Sequence, residues 1–315
     1  MKILIASSID PDAIRVMQER YDVVCAFNAS EAELKAHIRD REVLVFRSGV
    51  QITADVMAAA PHLKLLVRAG SGIDNIDMDY VRRRGLRLVR IPQPGAKAVA
   101  ELTFALMLAL ARHVLRADAL TRKGRWAKYE LGGYLLTGKT LGIVGAGNIG
   151  SRVGQMGAAW GMNVLGCVEH PTAAKAIRLR QKGIRLTDFR EVLEASDFVS
   201  IHVPLKASTV NLIDAQALSL MKPSAYLINM ARGGVVDEEA LREALVSGRL
   251  RGAALDVHKR EGEGQISPLA DLPNVILTPH IGAMTVDSQR EIGERILEIL
   301  ERFQSEQVPV SATAL

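Results

Sequence analysis

The sequence is poor in the features that mark secreted and membrane proteins. It has only two cysteines, Cys25 and Cys167, which lie far apart in apolar runs typical of strands. This placement predicts two buried thiols, with neither a disulfide nor a metal site. A reducing compartment follows, so we expect a cytoplasmic protein. The N-terminal apolar run is too short for a signal peptide and predicts a first core strand instead.

Long apolar runs and an excess of one charge are also missing. The longest apolar run, 102–111, is too short to span a bilayer and predicts a buried helix. The 40 basic and 35 acidic residues are spread along the chain, and the basic cluster at 82–84 is typical of a solvated helix face. No aromatic residues interleave with basic ones and no DNA-reading motif is present, so we expect neither nucleic acid nor a membrane as a partner.

What the chain does have is enough apolar sequence for two domains, each with its own core. In its first part, apolar runs typical of strands lie at 3–6, 23–26, 43–46, 65–67 and 86–89. Helical patterns begin between them at Pro11, Ser30 and Thr53. Strands separated by helices predict a parallel sheet, because each connection must cross back over the face of the sheet.

Two loops follow strands of this sheet at their carboxyl ends, where open α/β sheets bind ligands. One carries Arg47, whose guanidinium can hold an anion with two hydrogen bonds. The other is the glycine-rich segment 69–75, whose backbone N–H groups can also face an anion. Tight turns beside an exposed arginine would have the same pattern, and both interpretations stay open here.

The most informative stretch is T-L-G-I-V-G-A-G-N-I-G at 140–150, an apolar run that leads through glycines into an amphipathic helical pattern. Gly145 allows a sharp turn, Gly147 allows a pyrophosphate to approach the backbone, and Gly150 allows the helix to pack closely on the strand. The phosphates would face a helix N-terminus, which favours negative charge. The stretch predicts a nucleotide site, with a methyltransferase-type cofactor as the competing interpretation.

The sequence after this stretch predicts a second, larger doubly wound sheet. Its apolar runs lie at 164–168, 198–202, 225–228, 252–255 and 275–277, with helices near 173–181 and 238–246. A last helix over 286–303 places one apolar face toward a core, formed by Ile292, Ile296, Ile299, Leu300 and Phe303. We expect this helix to return to the first lobe, which leaves a cleft between two lobes.

Three segments between the two lobes carry further predictions. The stretch 91–95, with two prolines and a glycine, is interpreted as a helix-breaking hinge, and 99–114 as a long helix. The stretch 122–137 lacks periodicity but carries Trp126, Tyr129 and Tyr134. We expect it to be an arm that packs against a second subunit, with a plain surface loop as the alternative.

Polar residues follow three strands of the second sheet and are suited to hydride transfer to a carbonyl. His280 can protonate the carbonyl oxygen, a role that suits histidine as a residue type because its ordinary pKa lies near working pH. Glu261 can orient the ring and favour the imidazolium, and Arg232 can hold a substrate carboxylate. Each residue singly has an ordinary structural explanation, but together they predict an active site beside the glycine-rich turn.

The sequence resembles a known family, the D-isomer-specific 2-hydroxyacid dehydrogenases, and most closely the short D-3-phosphoglycerate dehydrogenase-like branch. The matching motifs occur in one order along nearly the whole chain. They are R-A-G-S-G-I-D-N-I-D at 68–77, V-A-E-L-T at 99–103, G-K-T-L-G-I-V-G-A-G-N-I-G at 138–150, H-V-P-L at 202–205, M-K-P-S-A-Y-L-I-N-M-A-R-G-G-V-V-D-E at 221–238, A-A-L-D-V at 253–257 and T-P-H-I-G at 278–282.

The resemblance implies an α/β fold of two doubly wound parallel-sheet domains. Residues 1–97 and 285–315 would form a flavodoxin-like substrate-binding domain, and 98–284 a Rossmann NAD-binding domain. It implies that Arg232, Glu261 and His280 are the catalytic residues. The implied cofactor is NAD, with a 2-hydroxy or 2-keto acid as substrate, and the family is commonly dimeric through the arm.

The resemblance also assigns binding positions. Those for the cofactor are Gly145, Gly147, Asn148, Ile149, Gly150, Val203, Pro204, Asp256 and Thr103. Asp256 would meet the nicotinamide carboxamide. The substrate carboxylate would bind the backbone of Ser71 and Gly72, and Arg47 matches a substrate-side arginine of the phosphoglycerate branch.

Three departures from the family's pattern bear on function. Val168 stands where the family usually has the aspartate that selects NAD, so Glu169 is either its replacement or a surface residue. A carboxylate there would repel a 2′-phosphate, so NAD is favoured over NADP. Gly262 replaces a proline and would loosen Glu261. The basic segment 258–260 would suit a phosphorylated or dianionic acid, or be solvated surface.

The leading hypothesis is therefore an NAD-dependent D-2-hydroxyacid dehydrogenase. Its first predicted substrate is 3-phosphoglycerate, and hydroxypyruvate or glyoxylate is the near alternative. A hypothesis of another class is an NAD(H)-sensing, corepressor-like binding protein. Because the chain ends soon after Phe303, we expect no serine-binding regulatory domain and no feedback inhibition by that route.

Overall fold

A computed structural model describes residues 1–307 of the chain. Its contacts divide the chain into two compact units, which we call the first and the second unit. The first unit is Met1–Gly95 together with the chain from Met284 onward, and the second is Ala96–Ala283. Which unit binds substrate and which binds the cofactor stays a prediction.

The first unit is built on a five-stranded parallel sheet. Its strands are β1 (Lys2–Ile5), β2 (Asp22–Cys25), β3 (Val43–Phe46), β4 (Leu65–Arg68) and β5 (Arg87–Arg90), in the order β2-β1-β3-β4-β5. This is the flavodoxin-like strand order. The inner strands β3 and β4 are buried at every position, as their continuous apolar sequence predicts.

Four helices connect these strands: α1 (Pro11–Arg20), α2 (Glu31–His37), α3 (Ala54–Ala58) and α4 (Met78–Arg84). Each begins after a residue whose side-chain oxygen accepts a backbone N–H of the first turn. Ser30 and Thr53, where helical patterns were predicted to begin, are two of these N-caps. In the basic cluster, Arg82 and Arg83 are exposed, but Arg84 donates to the carbonyls of Met57 and Ala60.

The second unit begins with two helices and continues as alternating strands and helices. The helices are α5 (Gln93–Ala111), which starts at the unit boundary, α6 (Val114–Arg122), α7 (Asn148–Ala159), α8 (Ala173–Arg180), α9 (Phe189–Ala195), α10 (Ala215–Leu220) and α11 (Glu238–Val246). The strands are β6 (Thr140–Val144), β7 (Asn163–Cys167), β8 (Ile184–Leu186), β9 (Phe198–Ile201), β10 (Tyr226–Asn229), β11 (Gly252–Leu255) and β12 (Val275–Leu277).

These strands form one parallel sheet in the order β12-β11-β10-β9-β6-β7-β8. From β6 the chain builds outward to β8 on one side, and then returns to add β9 to β12 on the other. This is the Rossmann strand order, and such sheets bind nucleotides where the direction of building reverses, beyond the carboxyl end of the central strand. The predicted α/β fold with two doubly wound parallel sheets is therefore confirmed.

The last helix, α12 (Val286–Gln307), belongs to the first unit. Ile292, Ile296, Leu300 and Phe303 are buried in one core cluster with residues of β1, β3 and β4, and Ile299 is partly buried against it. The predicted return of this helix to the first lobe is confirmed.

The structure corrects several local expectations. The stretch 91–95 does not break a helix, because α5 begins at Gln93 and its proline lies in the first turn, where a missing N–H costs nothing. The helix predicted over 99–114 ends at Ala111, and His113 adopts a left-handed conformation (φ 53°) before α6. Strand β8 was not predicted.

The two cysteines differ in burial. Both are free thiols, and Cys167 is buried as expected. Cys25 is exposed, so its predicted burial was wrong. The reason is that it ends β2, an edge strand of the first sheet, whereas Cys167 ends β7, which has neighbours on both sides.

Helix α5 is long and apolar enough to cross a membrane by length and composition alone. However, 61% of it is buried inside the structure, and Phe104, Met107 and Leu110 belong to the core cluster that contains Leu141. It is therefore described as a core helix, as the apolar run at 102–111 predicts.

The predicted arm has neither helix nor strand from 123 to 139. Trp126 is 82% exposed and Tyr129 is 92% exposed, so two large aromatic side chains present apolar surface. Tyr134 lies under Arg251, with the guanidinium 4.5 Å from its ring centroid. This contact fixes the end of the arm to the second unit.

Candidate active site

The residues predicted to do chemistry lie at one edge of the second sheet. Strands β10, β11 and β12 are neighbours, and Arg232, Glu261 and His280 follow them in that order. Because parallel strands end at the same edge, their three loops are adjacent. The sequence predicted that these side chains meet.

His280 and Glu261 are in direct contact. Nδ1 of the imidazole lies 2.8 Å from Oε2 of the carboxylate, and the other oxygen, Oε1, accepts the backbone N–H of His258 at 3.2 Å. Burial raises the pKa of Glu261, but the hydrogen bond and charge of His280, together with His258, outweigh it, so the pKa lies below its usual value. Glu261 is therefore a carboxylate at neutral pH.

A buried carboxylate, Asp256, holds the loop that carries His280. Its Oδ1 accepts from Thr278 Oγ1 at 2.6 Å and from the Ile281 N–H at 2.9 Å, and its Oδ2 accepts from the Gly282 N–H at 2.8 Å. Its own backbone carbonyl accepts the His280 N–H at 2.7 Å. We call residues 278–282 the histidine loop, and these four bonds orient it.

His280 itself has a left-handed backbone conformation, with φ at 55°. This conformation is uncommon for residues other than glycine and costs free energy, so the surrounding bonds must maintain it. The hydrogen bonds from the histidine loop to Asp256 do so on both sides of His280. The position of the imidazole is thus imposed by tertiary contacts and not by local preference.

Arg232 lies on a loop that packs against the loop of Glu261. Arg232 Nη1 donates to the Ala231 carbonyl at 2.7 Å. The buried Asn229 side chain donates to the backbone carbonyl of Arg232 at 3.1 Å. A Cβ on Gly233 would lie 1.8 Å from the His258 carbonyl oxygen. Only glycine therefore permits this close approach of the two loops.

The basic segment after β11 divides into anchored and exposed parts. His258 Nε2 lies 2.9 Å from the Thr278 carbonyl, and the Lys259 N–H donates to the buried carboxylate of Glu238 at 2.7 Å. The Lys259 and Arg260 side chains are exposed. Gly262 has φ at 126°, which proline cannot adopt, so the departure from the family's pattern has a conformational cause.

The glycine-rich turn has the shape that a pyrophosphate requires. Gly145 has φ at 94°, and Gly147 is the N-cap of α7, where an added Cβ would meet none of the described atoms within 4 Å. A Cβ on Gly150 would lie 2.3 Å from the Gly145 carbonyl oxygen, so glycine lets α7 pack closely on the turn. The first turn of α7, with Asn148 and Ile149, presents its N–H groups at this open space.

Strands β7 and β9 flank β6, and the segments that follow them lie on either side of the glycine-rich turn. After β9, Val203 packs against the turn, since a Cβ on Gly145 would lie 2.8 Å from its Cγ1, and Pro204 is exposed. After β7, the exposed Glu169 forms an ion pair with Lys206. Val168 is partly buried against the core.

Thr103 lies on helix α5, whereas the other predicted cofactor residues follow strands of the second sheet. It is fully buried in α5, and its hydroxyl donates to the Val99 carbonyl at 2.7 Å. Its assignment to the cofactor stays a prediction.

The substrate-side residues lie in the first unit, on two loops that are bonded together. The Asn75 side chain donates to the carbonyls of Arg47 and Val50, at 3.2 and 2.6 Å. Arg47 Nη1 donates to Gln289 Oε1 at 2.9 Å, and burial lowers the pKa of Arg47. Ser71 is exposed and Gly72 is partly exposed.

Two residues near the predicted sites were not singled out from the sequence. Arg68 is buried and donates to the Ala69 and Gly72 carbonyls, at 3.2 and 2.9 Å, so it shapes the glycine-rich loop of the first unit. Lys206 is the partner of Glu169. Arg68 stands in a quoted motif, but the ion pair joins residues from separate strands and has no local signal.

The chain is similar to known proteins over nearly its whole length. Residues 104–282 match the family model described as D-isomer specific 2-hydroxyacid dehydrogenase, NAD binding domain. The chain is 40% identical over 303 residues to D-3-phosphoglycerate dehydrogenase of Methanocaldococcus jannaschii, which covers 96% of the chain and 57% of that protein. It is 37% identical over 300 residues to hydroxypyruvate reductase of Thermotoga maritima, which covers 94% of the chain and 96% of that protein.

The chain thus spans little more than half the length of the D-3-phosphoglycerate dehydrogenase that it matches. Among solved structures, D-lactate dehydrogenase of Aquifex aeolicus, complexed with NAD and lactic acid, matches with a TM-score of 0.85 and 31% identity over 97% of this chain and 96% of that one. An NADPH-dependent glyoxylate/hydroxypyruvate reductase of Sinorhizobium meliloti, in complex with NADP and malonate, matches with a TM-score of 0.85 and 28% identity over 96% and 93%.

Proposed function

The chain belongs to the D-isomer-specific 2-hydroxyacid dehydrogenase family, and we propose that it is an NAD-dependent oxidoreductase that interconverts a D-2-hydroxy acid and its 2-keto acid. The observation that carries this proposal is the 2.8 Å contact between His280 and Glu261, at the same sheet edge as the glycine-rich turn. It combines a proton donor, a carboxylate that orients it and a predicted dinucleotide site.

His280 is the acid in the direction of reduction. Nδ1 is engaged by Glu261, so we assign to Nε2 the proton that goes to the carbonyl oxygen of the keto acid. When bound, a nicotinamide dinucleotide supplies the hydride in reduction and accepts it in oxidation. In oxidation, Nε2 takes the hydroxyl proton.

Glu261 and Asp256 prepare His280 for this role in different ways. Glu261 contacts the ring, and its negative charge favours the imidazolium form that reduction consumes. Asp256 holds the histidine loop through hydrogen bonds, and so keeps the ring in one place. We also propose that Asp256 meets the nicotinamide carboxamide.

Four residues are proposed to bind the substrate. Arg232 is proposed to bind the substrate carboxylate and polarise its carbonyl, because guanidinium matches a carboxylate with two hydrogen bonds. In the first unit, the backbone N–H groups of Ser71 and Gly72 are proposed to bind the carboxylate, with Arg47 as a further cation on the substrate side. The Asn75 bonds that join the two loops support this assignment.

The cofactor is proposed to lie along the carboxyl edge of the second sheet. Its pyrophosphate would be held by the first turn of α7 and by Gly145 and Gly147, where the open space beside Gly147 supports it. Glu169 is proposed to bind the adenosine ribose, and Val203 and Pro204 to line the same part of the site. NAD is favoured over NADP because Glu169 is a carboxylate.

The first substrate proposed is 3-phosphoglycerate, and hydroxypyruvate or glyoxylate is the second. The exposed side chains of Lys259 and Arg260 support a phosphorylated or dianionic acid, since both add positive charge after β11. The M. jannaschii relative is named for phosphoglycerate and the T. maritima relative for hydroxypyruvate. These names therefore do not decide between the two substrates.

We propose that the protein acts as a cytoplasmic homodimer. Two exposed aromatic side chains of the arm, Trp126 and Tyr129, support a second subunit as their partner, because aromatic residues are enriched at interfaces. The free thiols support a reducing compartment. Neither nucleic acid nor a membrane is proposed as a partner.

A second candidate is an NAD(H)-sensing, corepressor-like binding protein, which would keep the dinucleotide site without turnover. The test is NADH and NADPH consumption with a panel of 3-phosphohydroxypyruvate, hydroxypyruvate, glyoxylate and pyruvate. We expect turnover that is lost in His280→Ala and kept in the control His62→Ala, whose side chain is exposed in the first unit. Binding of NADH without turnover of any acid would favour the binding protein.

A further inference from the structure

Two oppositely charged side chains are joined across the glycine-rich turn. Lys206 follows β9 and Glu169 follows β7, and these strands lie on the two sides of β6. The Lys206 ammonium donates to both carboxylate oxygens of Glu169. The ion pair therefore joins the segments on the two sides of β6, at the carboxyl edge of the sheet where the proposed dinucleotide would lie.

The backbone of Lys206 is held firmly on its own side. Its N–H donates to Thr209 Oγ1 at 2.9 Å, and its carbonyl accepts the Thr209 and Val210 N–H groups at 2.8 and 3.1 Å. Thr209 is buried and its hydroxyl also donates to the Pro204 carbonyl at 2.6 Å. Only the long side chain of Lys206 is thus free to change its position.

The segment after β7 carries a second lysine, Lys175, in the first turn of α8. Its Nζ donates to the His170 backbone carbonyl at 2.8 Å. Lys206 is therefore the lysine whose charge lies on Glu169, and it offsets the repulsion that this carboxylate alone would exert on a phosphate.

From this geometry we propose that Lys206 determines how strongly the protein binds NADP(H) relative to NAD(H). The inference rests on the proposed dinucleotide site and deepens it. With NAD(H), Lys206 stays paired with Glu169, which binds the ribose hydroxyls. With NADP(H), Lys206 turns to the 2′-phosphate and offsets the charge of Glu169, so the site accepts both cofactors.

The alternative role for Lys206 is a structural tether between two loops. Both side chains are about half exposed, and exposed ion pairs contribute roughly 0–1 kcal/mol to stability. A tether of this kind would therefore stabilise the two loops only weakly. A lysine beside the 2′-phosphate would change the affinity for NADP(H) more strongly, because it attracts the two negative charges of the phosphate. The two roles predict different effects on the two cofactors.

The experiment measures dissociation constants of NADH and NADPH by nucleotide fluorescence on the whole chain, without substrate. Lys206→Met is compared with Lys175→Met, a matched control in the first turn of α8 whose ammonium donates to a backbone carbonyl. We expect Lys206→Met to weaken NADPH binding about tenfold, which equals about 1.4 kcal/mol, and to change NADH binding by less than about threefold. Lys175→Met should change neither by more than about threefold.

Glu169→Gln provides the opposite change. It should strengthen NADPH binding and weaken NADH binding, because it removes the negative charge and one ribose acceptor. Added salt should weaken NADPH binding more than NADH binding in the unmodified chain, and this difference should shrink in Lys206→Met.

The outcomes separate this inference from the proposed function. If the unmodified chain binds neither nucleotide, the proposed dinucleotide site is wrong. If it binds NADH but Lys206→Met weakens both nucleotides by the same factor, Lys206 is a tether and the inference fails. If Lys206→Met changes neither constant, the inference also fails, and the proposed function stands.

Discussion

The two halves of one sheet edge in the second unit hold their functional groups by different means. At the end formed by β10, β11 and β12, the buried Asp256 carboxylate accepts three hydrogen bonds from the histidine loop. At the end formed by β9, β6 and β7, a single exposed ion pair joins Glu169 and Lys206. The bonds to Asp256 fix the position of His280. The ion pair between Glu169 and Lys206 determines only the local charge.

This difference is reasonable for the chemistry proposed at each end. A proton donor must lie within hydrogen-bond reach of the reacting oxygen, and an error of 1 Å costs about 10²-fold in rate. A residue that selects between two cofactors needs only the right charge, which acts over longer distances. Burial and multiple bonds are therefore expected to give large mutational effects at one end and small ones at the other.

The largest expected effect comes from Asp256→Ala. It leaves the Thr278 hydroxyl and the Ile281 and Gly282 N–H groups without their acceptor, so kcat should fall about 10²-fold and unfolding free energy by about 3–5 kcal/mol. Steady-state kinetics and urea unfolding measure the two. Asp237→Ala is the control, because this carboxylate caps α11 outside the histidine loop. An unchanged kcat would show that the loop is held by other contacts.

The next effect comes from a partly buried titratable group at the cofactor end, His202. Its Nε2 lies 2.8 Å from Ser200 Oγ, and burial lowers the pKa of His202 to about 3. Between pH 6.5 and 3 the unfolded chain binds a proton that the folded chain refuses, so stability falls as pH falls through this range. At pH 5 this amounts to about 2 kcal/mol.

Urea unfolding at pH 7 and pH 5 tests this expectation. His202→Gln should lose less stability between the two pH values than the unmodified chain. His62→Gln, which changes an exposed histidine, should lose as much stability as the unmodified chain. The same loss in His202→Gln would assign acid sensitivity to other groups. If His202→Gln loses less stability, then the burial of a side chain, and not its position along the sheet edge, determines the size of the mutational effect.

Glu261→Gln should have an intermediate effect. It removes the negative charge 2.8 Å from the His280 ring, so the reduction rate should fall about tenfold. Because the pKa of Glu261 lies below its usual value, this carboxylate is ionised at neutral pH, where the rate is measured. Glu263→Gln, a nearby exposed carboxylate, is the control. An unchanged reduction rate in Glu261→Gln would leave Glu261 a structural role only.

The smallest effect is expected for Glu169→Ala. Loss of an exposed ribose acceptor should raise the KM for NADH about two- to fivefold and spare the KM for the keto acid. Glu194→Ala, on an exposed helix face, should change neither. An unchanged KM for NADH would assign Glu169 to the surface and remove the proposed contrast between the two ends.

Much of the fold was predictable because its signals are local. Buried strands such as β3 and β4 are continuous apolar runs, and helix starts at Ser30 and Thr53 carry N-cap residues. Short elements with few residues were harder. Strand β8 has three residues, one of them charged, and the sequence around it has no clear period.

The site was predictable in part for the same reason. The residue types and their places after strands identify His280, Glu261 and Arg232 as a group. The left-handed backbone of His280 and the bonds that Asp256 makes to the histidine loop were not visible, because they depend on two strands that become neighbours only in the folded sheet. Burial of Cys25 was predicted wrongly because an apolar run does not tell an edge strand from an inner one.

The sequence by itself determined the order of the elements, the glycine-rich turn and the groups available for chemistry, since periodicity, capping and backbone freedom act within a few residues. The tertiary structure alone decided that Glu169 pairs with Lys206, that Asp256 holds the histidine loop and that the pKa of His202 is lowered to about 3. Those contacts join residues from different strands. Strand order and burial, which are properties of the whole sheet, bring them together.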